Sequence, residues 1–228
     1  MYSSRTELVA RWLFVVGYGA MNILPVKRIL PPIIPYITIG IGLLVFHNAW
    51  LAILGYHTGM VAVISLSKTG IAMKRAFQCN RSWIPFIAVL AGAGGGILLY
   101  ILWPLLSVPD NINSYIRSIG LNEQTWPVFL AYFILINPLI EEYYWRGYLA
   151  AGAKGVALND LLFSGYHLIV LAGQMETIWL IAVFFVLTIG AWFWRQMNRL
   201  NGGLLASVIS HITADVTVML TIYYLSMR

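Results

Sequence analysis

From Thr177 to Trp194 the chain reads TIWLIAVFFVLTIGAWFW, eighteen residues without a single charge. A helix rises about 1.5 Å per residue, so such a run covers most of the roughly 30 Å hydrocarbon layer of a bilayer. The feature recurs. Runs of similar character lie at about 8–25, 33–49, 50–67, 83–106, 126–150, 156–172 and 203–225. Only 10% of the residues are charged, against about 25% in a soluble domain, so the chain lacks the polar surface to stay in water. Its mean hydropathy is +0.80. The apolar runs are continuous and do not alternate every second residue, which sets aside a β-barrel. The expected fold is all-α, a polytopic transmembrane helical bundle. It has eight helices, or seven if the run 33–67, interrupted near His47, Asn48 and His57, is one long span. A single transmembrane domain over 1–228 is expected, and the start is read as a first helix, because no clean cleavage site follows its apolar part.

The net charge of +6 is explained by topology and not by nucleic-acid binding, because the basic residues sit between apolar runs. Lys68, Lys74, Arg75 and Arg81, then Lys154, then Arg195 and Arg199 occupy stretches 68–82, 151–156 and 195–202, which alternate to one side. The positive-inside rule puts that side in the cytoplasm. An integral protein of the cell (plasma) membrane is expected, with the lipid bilayer as a partner. Trp83, Trp103, Trp126 and Trp179 fall near span ends, as interfacial anchors do. Cys79 is the lone cysteine, so neither an internal disulfide nor a structural zinc site of cysteine and histidine is expected.

Charge is costly inside a bilayer and is seldom retained without a role. The stretch NPLIEEYYWRGYL holds Glu141, Glu142 and Arg146; FSGYH ends in His167; HITAD carries His211 and Asp215. Counted from the cytoplasmic ends of their runs, Glu141, His167 and His211 all lie roughly 12–17 Å deep. Three helices thus bring ionisable groups to one level. Glu142 and Arg146, four apart, can pair along their own helix. Neighbours on a helix diverge by about 100°, so Glu141 is left to face a cavity, flanked by Asn137 and by Tyr144 or Trp145. Pro138 removes a backbone hydrogen bond beside it. His211 and Asp215 are also four apart, so the carboxylate can orient the imidazole or share an ion with it.

This set suits hydrolysis. Glu141 can take a proton from water, and His167 can hold that water or the proton. His211 can stabilise the oxyanion or bind a divalent metal, such as zinc, that does so. The trio Glu141, His167 and His211 has the composition of a three-ligand metal site with an open position. For His47 and His57 the expected role is structural, as interhelical hydrogen-bonders. For Glu142 and Arg146 a supporting ion pair is expected. Tyr143, Tyr144 and Trp145 are read as packing residues.

At these residues the sequence resembles the CAAX protease and bacteriocin-processing family of intramembrane endopeptidases. The pattern is two glutamates with an arginine four residues after the second, then Phe-x-x-x-His, then His-x-x-x-Asn or Asp. Here it reads Glu141-Glu142 with Arg146, Phe163 with His167, and His211 with Asp215. The resemblance covers about 126–225 and leaves the role of 1–125 unassigned. It implies cleavage of a peptide bond in a membrane-associated protein or peptide, by a glutamate-dependent or metallo-endopeptidase; the basic stretches put its cavity towards the cytoplasm. It also implies catalytic roles for Glu141, His167, His211 and Asp215, with Glu142, Arg146 and Phe163 in support. An ionised Asp215 can only accept hydrogen bonds, so it fits orienting His211 better than donating to an oxyanion. Prenylated CAAX proteins, peptide pheromones or bacteriocins, and sorted C-terminal tails are all compatible substrates. Ser164-Gly165 beside His167 is a weak match to a rhomboid serine site. The rival from another class is a non-catalytic membrane protein (immunity, scaffold or proton-linked transporter) that keeps the buried cluster for stability. Transport would favour inverted repeats, and none is visible.

Overall fold

The computed structural model describes residues 26–67, 76–109, 111–149 and 152–226. The expected first span, 8–25, and Lys68, Lys74 and Arg75 lie outside the described residues. The chain divides into two units, Met1–Ile33 and Ile34–Arg228. All three sequence motifs belong to the second unit.

All regular structure among the described residues is helical, as the apolar runs require. The helices are α1 (Val26–Gly40), α2 (Ala49–Ser67), α3 (Ile84–Leu102), α4 (Ile112–Ser118), α5 (Trp126–Leu135), α6 (Asn137–Glu141), α7 (Leu158–Leu171), α8 (Thr177–Asn201) and α9 (Leu205–Ser226). Four of the described segments are long and apolar enough to cross a membrane: α2, α3 with its 3-10 extension to Leu105, α8 and α9. Their outward residues, among them Leu90, Ile97, Phe185 and Ile189, are exposed. Such a surface is stable only against lipid.

Local chemistry sets several boundaries. Helices α3, α5 and α6 each carry proline in the first turn, where its missing N–H costs nothing. The run 33–67 is two elements. Helix α1 leads into a π-helical turn, Ile41–Val45, and the chain then breaks before Ala49, with His47 exposed at φ 47°. The predicted span 126–150 is interrupted too. Pro138 opens α6 just after the turn at Ile136, and from Glu142 to Tyr148 the helix widens to π geometry. Wide turns of this kind are rare and concentrate at functional sites. Helix α4 has no counterpart among the expected spans.

The stretch 195–202 is not a loop. Helix α8 continues to Asn201 and stops at Gly202, whose φ of 78° is the left-handed conformation glycine adopts freely. Arg195 is therefore helical, and it is buried. Its guanidinium donates to the carboxylate of Asp160 at 3.1 Å and 2.6 Å, and to the carbonyls of Ala153 and Gly155. It clamps the α6–α7 connection from inside.

Helices α3 and α9 lie along each other. The approach is close because α3 offers Gly92 and Gly96: an added methyl would strike the Ser210 carbonyl at the first and the Thr217 backbone at the second. Small residues four apart are how membrane helices bring backbones together. The core between helices is aromatic, with Tyr56, Trp126, Tyr144, Trp145, Phe163 and Tyr166 buried in one cluster.

Candidate active site

The first motif lies across the junction of α6 with the π-helical turns. Glu141 and Glu142 are 2% and 0% exposed, so each carboxylate must find partners inside the protein. Glu142 does so through one oxygen. Its Oε1 accepts from Arg146 Nη1 at 3.1 Å and from His211 Nδ1 at 3.0 Å. The expected Glu142–Arg146 pair is thus present, but it is part of a three-residue arrangement that reaches α9.

Aromatic rings hold the other faces of these groups. The guanidinium carbon of Arg146 lies 4.0 Å from the centroid of the Phe163 ring and 5.1 Å from that of Trp194. Trp194 also stacks on His211, with centroids 4.5 Å apart and planes 24° off parallel. Arg146 and His211 thus share one indole, whose electron-rich face favours cations. Phe163, from the second motif, is the floor beneath Arg146.

Glu141 is not left facing an open cavity. Its Oε1 accepts from the phenols of Tyr56, at 2.8 Å, and Tyr166. Trp145 Nε1 donates to Tyr56 at 3.1 Å, so Trp145 reaches the carboxylate through that phenol. The second oxygen, Oε2, is buried and makes no hydrogen bond. It stands 3.5 Å from His211 Nε2, at the outer limit of a direct bond, so one group placed beside the pair can touch both. Helical spacing predicts two glutamates that face apart, yet both meet one imidazole. They do so because its nitrogens lie on opposite sides of the ring.

Asp215 makes no direct hydrogen bond to His211. Its Oδ1 is 3.6 Å from Nε2, outside hydrogen-bond range; Glu142 and Trp194 fix the ring instead. Asp215 Oδ2 accepts from Asn137 Nδ2 at 3.3 Å. His167 stands to one side, half-buried, stacked on Tyr166 at 4.1 Å. Its Nδ1 lies 2.9 Å from the Phe163 carbonyl. A carbonyl only accepts, so Nδ1 carries the proton and Nε2 is the free nitrogen.

Among the described residues no three of His, Cys, Asp and Glu are grouped to hold a metal ion. In the expected trio Glu141 Oε1 is taken by two phenols and His211 Nδ1 by Glu142, which leaves Glu141 Oε2 and the Nε2 atoms of His167 and His211 as the donors a metal would use. Tyr56, Tyr166 and Trp194 are site residues that the sequence motifs do not single out. Tyr166 at least adjoins His167 in the second motif; the other two carry no local signal.

A helical membrane bundle with carboxylates and imidazoles gathered between its helices defines a polytopic membrane protein with a buried polar centre. Residues 123–217 match the family model described as Rce1-like, type II CAAX prenyl endopeptidase, which bears out the resemblance carried by the three motifs. No curated protein and no solved structure matches the chain.

Proposed function

We propose that the chain is an intramembrane endopeptidase that hydrolyses a peptide bond in a membrane-associated protein or peptide, with Glu141 as the base. The observation that carries this reading is the buried Oε2 of Glu141, which makes no hydrogen bond and lies 3.5 Å from His211 Nε2; Glu142 Oε2 and Arg146 Nη2 beside it are likewise without a hydrogen-bond partner. A buried acceptor without a partner costs about 1–3 kcal/mol, and a reacting water is the group that would repay it.

In this mechanism the water sits between Glu141 Oε2 and the free Nε2 of His167. As its oxygen bonds to the scissile carbonyl carbon, its proton passes to Oε2 and the carbonyl π electrons move to oxygen. His211, as imidazolium, donates Nδ1–H to Glu142 and Nε2–H to that oxyanion. Collapse re-forms the carbonyl, breaks the C–N bond and returns the proton from Glu141 to the departing amine. Tyr56 and Tyr166 hold Oε1, so only Oε2 is available to react. Asp215 lies beside Nε2 and supports the imidazolium. Every step is carried by side chains.

The test is turnover of a fluorogenic peptide library by detergent-extracted protein. Glu141→Gln abolishes cleavage while the protein stays folded. Glu142→Gln lowers both Tm and turnover, because it releases Arg146 and His211 together. Near-normal cleavage by Glu141→Gln would overturn the assignment of the base, and a wild type that cleaves no peptide would favour the non-catalytic reading.

A further inference from the structure

Helix α2 lies outside the family-matched segment, yet it sends two consecutive residues to the buried centre. Tyr56 meets Glu141. His57 meets Asn137, with Nε2 3.1 Å from Oδ1, while its Nδ1 is 2.8 Å from the hydroxyl of Tyr132. Asn137 in turn donates to Asp215 at 3.3 Å. His57 and Asn137 are 4% and 3% exposed.

The direction of each bond follows from the one before it. A carboxylate only accepts, so Asn137 must turn its NH₂ towards Asp215 and its carbonyl towards His57. That carbonyl only accepts, so Nε2 of His57 carries the proton. The lone pair then falls on Nδ1, where the Tyr132 hydroxyl donates to it. Without the imidazole, the Asn137 carbonyl is buried and unpaired. A half-turn of the amide would then set that carbonyl against the Asp215 carboxylate and push it away from His211.

We infer that His57 is a positioning residue for Asp215, acting through the amide of Asn137. The chain Tyr132–His57–Asn137–Asp215 fixes a carboxylate beside the imidazole that serves the oxyanion. The inference rests on the peptidase reading for its effect on rate, but the bonds themselves do not depend on it.

Two measurements test it. In turnover of a fluorogenic peptide cleaved by wild type, His57→Ala lowers kcat on the order of 10- to 100-fold, the penalty typical of a misplaced reacting group, with KM nearly unchanged. His57→Gln, whose amide N–H can replace Nε2–H, recovers most of that loss; His57→Asn, which cannot reach as far, does not. Equal kcat for His57→Ala and wild type would overturn the inference while leaving Glu141-dependent cleavage intact. The second measurement needs no substrate. Thermal unfolding of His57→Ala, Asp215→Ala and the double variant shows non-additive Tm losses, although the two residues do not touch, and the non-additivity disappears in an Asn137→Ala background. Additive losses would overturn the relay even where no peptide is cleaved. Should His57→Ala fail to fold, the Gln and Asn variants carry both comparisons.

Discussion

The guanidinium carbon of Arg146 stands 4.0 Å over the ring of Phe163, and this contact joins the first sequence motif to the second. Phe163 also meets the ring of His167 at 4.9 Å. The phenylalanine four residues before the histidine is thus more than apolar filling: it offers its electron-rich face to a buried cation. A desolvated contact of this kind is worth about 2 kcal/mol.

Phe163→Leu keeps the apolar character but removes that face. It is expected to lower Tm in detergent by about 4–8 °C, at the roughly 2–4 °C per kcal/mol of a chain this long. Phe163→Tyr, which keeps the face, stays closer to wild type. A Leu variant that melts with wild type would mean that the ring contributes nothing through Arg146.

Chelation is expected to leave turnover unchanged. Among the described residues no three of His, Cys, Asp and Glu are grouped to hold a metal ion, and the mechanism uses Glu141 as the base and not as a ligand. Elemental analysis across the active peak, with chelator and add-back, checks this. One zinc per chain, lost and restored with activity, would show that the cluster rearranges around a metal.

Gly92 and Gly96 set the position of His211, because the carbonyl in the way of a methyl at Gly92 belongs to the residue before it. Gly92→Ala and Gly96→Ala are expected to destabilise by roughly 1–3 kcal/mol, the usual cost of overpacking, and to lower turnover by displacing α9. Gly94→Ala, where nothing lies within 4 Å, is neutral in both assays. Equal behaviour of the three variants would remove close approach as the cause.

If the basic stretches face the cytoplasm, the exposed Cys79 is labelled by membrane-impermeant thiol reagents only after that face is opened. Efficient labelling of intact cells would invert the topology.

The features legible in the sequence are the local ones. Glu142 and Arg146 are one helical turn apart, so their pairing follows from spacing alone. That His211 completes the arrangement depends on how α9 is rotated against the π-helical turns, and no spacing within either helix encodes it. Tyr56 reaches Glu141 across 85 residues of chain; nothing around it distinguishes it from the other aromatics of an apolar helix. Arg195 misleads because a basic residue near the end of an apolar run has the composition of a loop. Its partners, Asp160 and two carbonyls, come from a different part of the chain. The bridging role expected of His57 holds, and the path beyond Asn137 required the fold.

The reach of Tyr56 and His57 into the buried centre bears on modularity. The three motifs can be aligned as a self-contained block, but the block is not portable. A graft beginning at residue 123 would carry Glu141 without one of the two phenols that hold its carboxylate, and Asn137 without the imidazole that orients it. Divergence in the first half of such chains is therefore not free of the chemistry in the second. A relative that keeps every motif residue but changes the face of its second helix would inherit the signature and lose part of the machinery.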